Sequence, residues 1–385
     1  MKTTWRVGIV KDTSKPMLGL HGLHLAFRGL PNADVIAHVD SNTEDIEQKM
    51  AVTEARRHYA TLPQMLADEA PDIVVLTSRH PYDHLPQIEA CADAGSHVYC
   101  EKPLAASLLE ADRIVEIAEQ AGIRICMAHP SRYEPGFRTM KRMLEAGEIG
   151  RPLTVYGRGK CDHRGGGEDL IVLGTHILDL QTFFFGPPEY VYADITADGR
   201  PIVKTHRAET VEPIGPAAGD SIFAHFRFPG DVRGLFESRR GLYDRASGMT
   251  QMGLTVVGTE GVLSLRFDDT RTRAPRIGRG PGALEYGRDF EDVPLTEDRT
   301  IPGAAPLDYS LSGKHSPSAT FFLEANRFAV CDLMRAIEED RQPVSNAGNA
   351  RLALEMIYGI YAAHLSKGLI SFPLEDREHP LGECE

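Results

Sequence analysis

The first third of the chain alternates short apolar runs with segments whose apolar residues recur at helical spacing. The run at 71–78 (PDIVVLTS) is largely apolar, as expected for a strand that is buried on both faces of a sheet. The segments 84–95 and 107–122 have helical periodicity, and both end at glycine, a usual residue just past a helix. This alternation predicts a parallel, doubly wound sheet. Its strands are expected at 5–10, 34–40, 71–78, 96–101 and 123–129.

The pattern of apolar positions changes after residue 129. A helix at 137–150 is followed by β-like runs that have no helices between them, which predicts a large, open, mostly antiparallel sheet. The stretch 268–316 is rich in Gly, Pro, Arg and Asp, which predicts long surface loops. Two helical segments close the chain, at 318–340 and 349–367. The strands of this part are expected at 153–159, 189–196, 221–228, 232–240 and 254–267.

Chain length and composition indicate a globular protein of two domains. A chain of 385 residues is longer than one typical core supports, and 42% of its residues are hydrophobic. We predict a dinucleotide-binding domain at 1–126 and an α+β domain at 127–385, with the helix at 349–367 packing back on the first domain. The fold class is therefore α/β, with a parallel doubly wound sheet followed by an α+β domain that contains a large open sheet.

Charge, hydropathy and cysteine content limit the partners and the compartment. The net charge of −13 argues against a nucleic acid or an anionic membrane as partner, because both require a basic surface. No apolar run approaches the roughly 20 residues that span a bilayer, and MKTTWRVGIV has no apolar leader region. The six cysteines show no CxxC spacing and are expected to be reduced thiols. These observations favour a cytoplasmic protein that acts on a small molecule.

The loop after the first strand stands where a parallel sheet of this kind binds a pyrophosphate. The usual G-x-G-x-x-G sequence is absent, and Gly8, Gly19 and Gly22 are spread over a longer loop that also contains Lys11. The loop either binds the pyrophosphate, together with Val10 at the strand end, or is only an enlarged turn.

Asp40 ends the second predicted strand. An acidic residue at this place accepts a hydrogen bond from the ribose 2′-OH and disfavours a 2′-phosphate, so it favours NAD over NADP. The alternative is that Asp40 caps the next helix, a role that Ser41, Asn42 or Thr43 could also fill.

The segment GSHVYCEKPLA at 95–105 carries the strongest local signal. A buried strand runs directly into Glu101, Lys102 and Pro103, so the lysine lies at the carboxyl end of the strand, where open α/β sheets bind ligands. Proline restricts the residue before it, which gives the Lys102 ammonium a defined direction. Beside an oxidised nicotinamide and partly desolvated, this lysine is suited to be a proton shuttle. The alternative is a surface lysine at a strand end.

The stretch GGGEDLIVLGTHILD at 165–179 contains a second candidate. If it is helical from Leu173 onward, His176 and Asp179 share one face, because residues three apart are neighbours on a helix surface. That face either lines a catalytic pocket or is satisfied inside the core.

Several segments together carry a family resemblance. They are 71–123, which includes the EKP motif at 101–103, then G-x-H-x-x-D at 174–179, and the segments 131–152, 258–265 and 353–368. In these segments the chain resembles the Gfo/Idh/MocA oxidoreductases, which include glucose-fructose oxidoreductase and inositol dehydrogenases. The resemblance implies a Rossmann domain that holds NAD or NADP. It also implies a carbohydrate-like substrate and a second domain whose open sheet mediates homo-oligomers, as a dimer or tetramer.

The resemblance assigns roles to individual residues. Lys102 matches a lysine that contacts the substrate hydroxyl and takes its proton, and His176 matches a histidine that binds substrate or transfers a proton. Ser131, Arg132 and Tyr133 fall in a segment close to the active site, where Arg132 and Tyr133 are expected to contact substrate. The residues expected to border the nicotinamide and its ribose are Thr77, Ser78, Arg79, His84 and Glu101.

The chain departs from the family pattern at the glycine loop and at Val172. Many dehydrogenases of the family carry an aspartate four residues before the histidine, and valine can neither accept a proton nor orient an imidazole. His163 is a candidate for the missing function, so we expect His163→Ala to lower turnover by about 10²–10⁴-fold. Asp169 and His163 are also candidate substrate contacts. A metal site built from His163, Glu168, Asp169 and His176 matches no standard zinc spacing, so no metal is expected.

Three classes of function are compatible with these residues. The first is an NAD(P)-dependent oxidoreductase that moves a hydride between a nicotinamide and a hydroxyl of a sugar, polyol or sugar derivative. The second is a redox-neutral enzyme that cleaves or rearranges glycosides through a transient keto sugar, which the loss of the aspartate at Val172 favours. The third is a sugar or nucleotide sensor without catalysis, which an intact Lys102 disfavours.

Overall fold

The computed structural model describes residues 2–16, 21–208, 210–242, 252–267, 274–280, 290–295, 300–312 and 318–382. The chain divides into two compact units. The first unit comprises Met1–Tyr133 and Asp298–Ala350, and the second comprises Glu134–Glu297 and Arg351–Glu385. Gly19, which the sequence assigned to the phosphate loop, lies outside the described residues.

The strands and helices are numbered in chain order. The strands are β1 (Trp5–Val10), β2 (Ala33–Val39), β3 (Arg57–Tyr59), β4 (Ile73–Leu76), β5 (His97–Cys100), β6 (Ile125–Met127), β7 (Pro152–Arg158), β8 (Tyr190–Ala197), β9 (Arg200–Pro201), β10 (Ser221–Phe228), β11 (Val232–Arg239), β12 (Gly253–Gly258), β13 (Gly261–Arg266), β14 (Arg276–Arg279), β15 (Glu291–Asp292) and β16 (Ile370–Ser371). The helices are α1 (Ile46–Thr53), α2 (Leu62–Glu69), α3 (His84–Asp93), α4 (Leu108–Ala121), α5 (Pro135–Glu145), α6 (Gly167–Asp169), α7 (Thr175–Phe185), α8 (Ser318–Glu338) and α9 (Ala347–Ser366).

The first unit contains a six-stranded parallel sheet with the strand order β3-β2-β1-β4-β5-β6. All four residues of β4 are buried, as expected for a central strand. The order reverses between β1 and β4, and doubly wound sheets bind ligands at the carboxyl ends of strands beside such a reversal. The predicted parallel sheet is confirmed. The short strand β3 was not predicted, because Arg57–Tyr59 contains no apolar run.

Helices α3 and α4 occupy the two segments that were predicted to be helical. The Ser107 hydroxyl accepts a hydrogen bond from the backbone N–H of Glu110 at 3.1 Å, which caps the first turn of α4. Gly122 ends the same helix with φ of 68°, a backbone conformation that glycine adopts without strain.

Helix α8 belongs to the first unit although the strand-rich segment of the second unit precedes it in the chain. Ala325 and Ala329 of α8 are part of the same buried cluster as Val7 and Ile9 of β1. Helix α9 belongs to the second unit from Arg351 onward, whereas its sequence pattern had suggested packing on the first domain. Both helices bury apolar residues, so their patterns alone do not show which sheet each one covers. No helix in the described ranges is both long enough and apolar enough to cross a membrane.

The second unit contains a ten-stranded sheet, in the order β15-β14-β13-β12-β7-β11-β10-β8-β16, with β9 also paired to β8. Neighbouring strands are antiparallel except β7 and β11, so the predicted mostly antiparallel sheet is confirmed. On β10, Ile222, Ala224 and Phe226 are buried, while Phe223 between them is 44% exposed. The sheet therefore has one core face and one open face. Strands β14 and β15 lie in the stretch predicted to be loops, so that prediction is wrong for their residues.

Candidate active site

The turn after β5 places Lys102 at the carboxyl edge of the parallel sheet. The backbone N–H of Glu101 donates to the carbonyl of Leu76 at the end of β4, which extends the strand pairing by one residue. Only 1% of Lys102 and 2% of Glu101 are exposed, and the Lys102–Pro103 peptide bond is cis. The alternative of a surface lysine is therefore wrong. Burial disfavours the charged form of an amine, which suits a group that must accept a proton.

Glu101 forms a pair with His21, a residue that was not among the predicted site residues. The Nδ1 atom of His21 lies 2.9 Å from Oε2 of Glu101, and Oε1 accepts from the backbone N–H of Lys102 at 2.9 Å. Burial lowers the pKa of His21 to about 4, against the opposing effect of Glu101, so the imidazole is neutral at pH 7. Burial would raise the pKa of Glu101, but His21, Arg79 and Lys102 together lower it to about 2. Glu101 is therefore ionised, and the neutral ring donates Nδ1–H to it.

Residues of helix α8 hold His21 in place. The His21 ring is stacked on Phe322 with the ring centroids 4.7 Å apart, and the Asn326 side chain donates to the His21 carbonyl at 2.8 Å. The next residue, Gly22, has φ of 75°, and a Cβ atom there would lie 2.5 Å from Leu323. Gly22 is therefore needed for the loop to pass over α8, a packing role distinct from the predicted contact with phosphate.

The ends of β1 and β4 are joined by Thr77. Its backbone N–H at 3.1 Å and its hydroxyl at 2.9 Å both donate to the carbonyl of Val10. Gly8 lies inside β1, where a Cβ atom would lie 2.6 Å from the sulfur of Met65, so a larger residue would require the flexible end of Met65 to shift. The hydrogen bonds between Thr77 and Val10 thus join the carboxyl ends of β4 and β1, and Gly8 lies within β1.

Asp40 is a buried anchor for the first loop. Its Oδ1 accepts from the backbone N–H groups of Thr13 and Asn42, both at 2.9 Å. Its Oδ2 accepts from the Thr13 hydroxyl at 2.7 Å and from the Lys49 ammonium at 2.9 Å. Burial would raise the pKa of Asp40, but these donors lower it, so the side chain is an ion. The α1 helix begins beyond Asp45, so the alternative of a helix cap is wrong.

Asp12 is the accessible carboxylate beside Asp40. Its Oδ1 accepts from the backbone N–H of Ser14 at 3.0 Å and from the Ser41 hydroxyl at 2.9 Å, and the residue is exposed. The oxygens of Asp40 thus accept from four donors, whereas Asp12 is exposed. Asp12 was not among the candidates that the sequence suggested, because it lies in the loop that replaces the glycine motif.

His84 connects the loops that follow β4 and β5. Its Nδ1 atom lies 3.0 Å from the carbonyl oxygen of Leu104, and its Nε2 atom lies 2.8 Å from that of Ser78. The Ser78 hydroxyl donates to Asp83 at 2.6 Å. His84 is fully buried, whereas Arg79 in the same loop is 9% exposed. The buried His84 and the partly buried Ser78 thus fix the conformation of the loop that is predicted to border the nicotinamide.

Tyr133 and Arg132 form hydrogen bonds with α8 and with the chain segment that follows it. The Tyr133 hydroxyl donates to Asp332 at 2.9 Å and accepts from the backbone N–H of Ser345 at 3.0 Å. Arg132 donates to the carbonyl of Val344 at 3.2 Å. Tyr133 is 3% exposed, so its polar group is engaged inside the first unit. The structure does not support Tyr133 as a substrate contact. Ser131 is also buried.

His176 lies in the second unit, immediately after a wide helical turn. Residues Leu170–Gly174 form a π-helix between α6 and α7, and such turns are rare and frequent at functional sites. Both His176, at 4% exposure, and Asp179, one turn later, are buried. Val172 is 1% exposed within the apolar core of this unit, so a non-polar residue suits that position.

Asp169 and His163 lie before the π-helix in different environments. Asp169 is buried and accepts from the backbone N–H of Cys161 at 3.0 Å and from the Ser238 hydroxyl at 2.5 Å. Burial raises the pKa of Asp169, although these donors oppose the shift. The side chain of His163 is 61% exposed. Asp169 therefore anchors its loop, and the structure does not place His163 in a protected site. Within the described ranges, no three His, Cys, Asp or Glu side chains could hold a metal ion.

The carboxyl edge of the parallel sheet has the charge that a dinucleotide requires. Lys11 follows β1, and Arg79 lies in the loop after β4. These cations suit the negative charges of a pyrophosphate. The Nζ atom of Lys11 lies 3.2 Å from Nε2 of His24, and burial lowers the pKa of Lys11. The side chains present therefore fit a dinucleotide, although the loop lacks the usual glycines.

Two family profiles match the chain. Residues 20–129 match the oxidoreductase family with an NAD-binding Rossmann fold. Residues 137–264 match the GFO/IDH/MocA C-terminal domain. The two matches together cover more than half of the sequence.

Curated relatives include dehydrogenases of sugars and polyols. The chain is 31% identical over 171 residues to D-apiose dehydrogenase of Paraburkholderia graminis, which covers 42% of this chain and 45% of that protein. It is 26% identical over 210 residues to myo-inositol 2-dehydrogenase of Thermotoga maritima, which covers 53% of this chain and 60% of that protein. The chain thus spans about half the length of the curated relatives that it matches.

Solved structures with the same fold cover almost the whole chain. An NAD binding oxidoreductase from Klebsiella pneumoniae has a TM-score of 0.72 at 20% identity, over 97% of this chain and 100% of that chain. Levoglucosan dehydrogenase in complex with NADH and levoglucosan has a TM-score of 0.71 at 18% identity, over 96% and 100%. At these identities the similarity establishes the fold alone.

Proposed function

Because this chain belongs to the Gfo/Idh/MocA family of oxidoreductases, we propose that it oxidises a hydroxyl group of a sugar, polyol or sugar derivative. The observation that carries the proposal is the burial of Lys102 at the carboxyl edge of the parallel sheet. An amine that is removed from water beside a dinucleotide site is suited to accept the hydroxyl proton. The same burial disfavours a sensor, which has no need of a base at this position.

Residues of this chain accept or transfer the proton that leaves the substrate hydroxyl. When bound, an oxidised nicotinamide supplies the acceptor for the hydride that leaves the carbon. Lys102 in its neutral form accepts the hydroxyl proton, and Glu101 remains ionised beside it. His176 is proposed to bind the hydroxyl or to move its proton, a role that rests on the family motif and on the burial of the ring. Arg79 and Lys11 are proposed to bind the dinucleotide.

The names of the curated relatives support a carbohydrate or polyol substrate, since they include apiose and inositol dehydrogenases. The test is to incubate the purified protein with NAD or NADP and a panel of aldoses, anhydrosugars and inositols, and to follow absorbance of reduced nicotinamide. We expect reduction with at least one member of the panel. A protein that binds the nucleotide but reduces it with none of them would contradict the proposal.

A redox-neutral reaction is the second candidate, and Val172 is the observation that favours it. The position that carries aspartate in many relatives is filled here by a buried apolar side chain. An enzyme that returns the hydride to its own intermediate produces no free reduced cofactor. Product analysis with glycosides and without added nucleotide distinguishes the two, because only a redox-neutral enzyme turns over under that condition.

We propose NAD rather than NADP as the cofactor, and we assign the preference to Asp12, whose loop Asp40 anchors. Asp40 lies at the end of β2, and Asp12 lies in the loop after β1. Of these two carboxylates, Asp40 is the one whose charge is balanced by an ion pair with Lys49. A 2′-phosphate beside the accessible Asp12 would meet a like charge, which costs about 1–4 kcal/mol at close range.

Asp12→Asn is therefore expected to lower the ratio of the NADPH dissociation constant to the NADH dissociation constant by about tenfold or more. Removing the negative charge lowers the repulsion of a 2′-phosphate, while the amide still fills the same space. Asp40→Asn is the contrast, because loss of the loop anchor should weaken both nucleotides alike. Fluorescence titration of each variant with NADH and NADPH measures the effect. An unchanged ratio in Asp12→Asn would show that Asp12 does not face the ribose.

We also propose that the open face of the second unit's sheet joins copies of this chain. A row of cross-strand partners crosses that face, from Tyr192 through His225 and Leu235 to Tyr156. Tyr156 is 42% exposed and Phe223 is 44% exposed. Exposed aromatic residues in one patch are typical of interfaces, because they bury much apolar area with few rotatable bonds.

Tyr156→Glu is expected to raise the dissociation constant between copies at least about tenfold, because it places a charge inside a desolvated patch. Leu109→Glu is the matched control, since Leu109 is 50% exposed on α4 of the first unit. Analytical ultracentrifugation over a concentration series measures both variants. An unchanged oligomer in Tyr156→Glu, or a monomeric parent protein, would contradict this interface.

A further inference from the structure

A short turn follows the first loop at the place where a dinucleotide-binding sheet usually has a long helix. Among the described residues between β1 and β2, which are 11–16 and 21–32, the helical structure is a single 3₁₀ turn at Leu23–Leu25. A long helix here would direct its amino-terminal N–H groups and the positive end of its dipole toward the phosphates. A dinucleotide that binds at this turn therefore needs positive charge from a side chain.

Lys11 is the side chain that follows β1 directly. Its backbone N–H donates to the carbonyl of Val39 at 3.0 Å, which fixes the residue against the end of β2. Its Nζ atom lies 3.2 Å from Nε2 of His24, the middle residue of the 3₁₀ turn. Lys11 is half-buried, and His24 is 7% exposed. The turn thus brings a buried imidazole to the lysine at the carboxyl end of β1.

The His24 imidazole is a neutral acceptor. Burial lowers the pKa of His24 well below its usual value, and the charges of Lys11 and His38 act in the same direction. Burial also lowers the pKa of Lys11, but the charge of Asp40 opposes that shift and favours the ammonium. Because an ammonium can only donate, Nε2 of His24 accepts the hydrogen bond and Nδ1 carries the ring proton.

The neutral partner distinguishes Lys11 from Lys49, the lysine of α1 beside the same loop. The Lys49 ammonium forms an ion pair with Asp40 at 2.9 Å, so each charge balances the other. His24 orients the Lys11 ammonium without adding a negative charge. An ammonium has three N–H groups, so it can donate to His24 and to a phosphate oxygen at the same time.

We propose that His24 is a positioning residue for the dinucleotide, and that it holds the Lys11 ammonium at the place where a helix N-terminus would otherwise meet the pyrophosphate. The inference rests on the proposed function only through the binding of a dinucleotide by Lys11, and it does not depend on the substrate. Without the acceptor on His24, a flexible lysine must be ordered each time a nucleotide binds, which weakens the affinity.

Three variants separate this role from packing. His24→Phe keeps a flat ring but removes the acceptor. His24→Gln loses the ring, but its Oε1 can reach the position of Nε2 and accept from Lys11. Lys11→Met removes the charge and keeps the length of the stem. His97→Phe is the matched control, because His97 is a partly buried histidine at the amino end of β5, where its Nδ1 accepts from the backbone N–H of Arg124 at 2.9 Å.

Fluorescence titration with NADH measures the dissociation constant of each variant. We expect an increase of about 10–100-fold in Lys11→Met, as for loss of a hydrogen bond to a charged group, and of about tenfold in His24→Phe. His24→Gln and His97→Phe should stay close to the parent protein. The double variant Lys11→Met/His24→Phe should bind no more weakly than Lys11→Met, because His24 acts through Lys11. Losses that multiply in the double variant, or equal losses in His24→Gln and His24→Phe, would overturn the proposal.

Competition by ADP-ribose and by adenosine locates the effect on the nucleotide. ADP-ribose contains the pyrophosphate, so its affinity should fall in His24→Phe as that of NADH does. Adenosine has no phosphate and should bind the parent protein and His24→Phe alike. Equal losses for the two competitors would overturn the role at the pyrophosphate.

The tautomer of His24 is a test that stands even if His24→Phe does not fold. In a long-range ¹⁵N–¹H spectrum of the parent protein at pH 7, His24 should be neutral and protonated on Nδ1, with its resonance assigned by its loss in His24→Gln. An imidazolium or an Nε2-protonated ring could not accept from Lys11 and would overturn the proposal. If these results are as expected and no substrate is oxidised, the proposed reaction fails while the role of His24 stands.

Discussion

Replacing Lys102 with methionine is expected to lower kcat by about 10²–10⁴-fold, the loss typical for removal of a general acid–base group. Methionine is close to the lysine stem in length, so the buried space at this position stays filled. Binding of the dinucleotide should be retained, because Lys11 and Arg79 remain. Steady-state kinetics with the best substrate of the panel, together with a fluorescence titration of NADH, measures both quantities.

Lys204→Met is the matched control for this experiment. Lys204 is exposed in the second unit, so its replacement makes the same lysine-to-methionine change without touching the sheet edge. We expect normal turnover in this variant. If Lys102→Met keeps a comparable rate, Lys102 is not the base, and the proton must leave the hydroxyl by another route.

The second large effect is expected at His176. His176→Gln should lower kcat/KM by about 10²–10⁴-fold if the ring transfers a proton, because glutamine can hydrogen-bond but cannot titrate near pH 7. His163→Gln is the matched substitution in the same unit. The His163 ring is 61% exposed, so we expect its replacement to have little effect, in contrast to the loss that the sequence predicted for this residue.

The two histidine variants are to be compared at several pH values and with their melting temperatures. A loss of rate with an unchanged melting temperature assigns His176 to the chemistry. A loss confined to His163→Gln would instead restore His163 as the group that compensates for Val172. Equal activity of both variants would remove both rings from the proton path.

The sequence predicted those features that depend on local pattern. The apolar runs gave the parallel sheet, and the motif after β5 gave the position of Lys102, because the end of a buried strand and the residue after it are adjacent in the chain. The family resemblance gave His176. The π-helix before it was not predicted, since Leu170–Gly174 is an apolar run that an ordinary helix would also accommodate.

Features that depend on distant parts of the chain were not predictable. Asp40 is an acidic residue at the end of the second strand, as a contact with the ribose requires. However, Thr13 and Lys49, which lie in two other parts of the chain, donate hydrogen bonds to its carboxylate. His21 and Glu101 are 80 positions apart and meet only after β1 and β5 join one sheet. Tyr133 likewise looks like a site residue until Asp332 is seen to bind its hydroxyl.

The first unit is built from two separate stretches of the chain. This affects how the chain folds during synthesis and which fragment could be excised from it. A ribosome releases residues 134–297 before it completes α8, so the cluster around Val7 and Ile9 must wait for Ala325 and Ala329. The first unit therefore cannot complete its core until residues 134–297 have been synthesised, unlike an amino-terminal domain that is formed by one continuous stretch. An excised fragment that ends at Tyr133 would expose this apolar surface and lose the support of His21. Any nucleotide-binding module taken from this protein must carry residues 298–350 as a second piece.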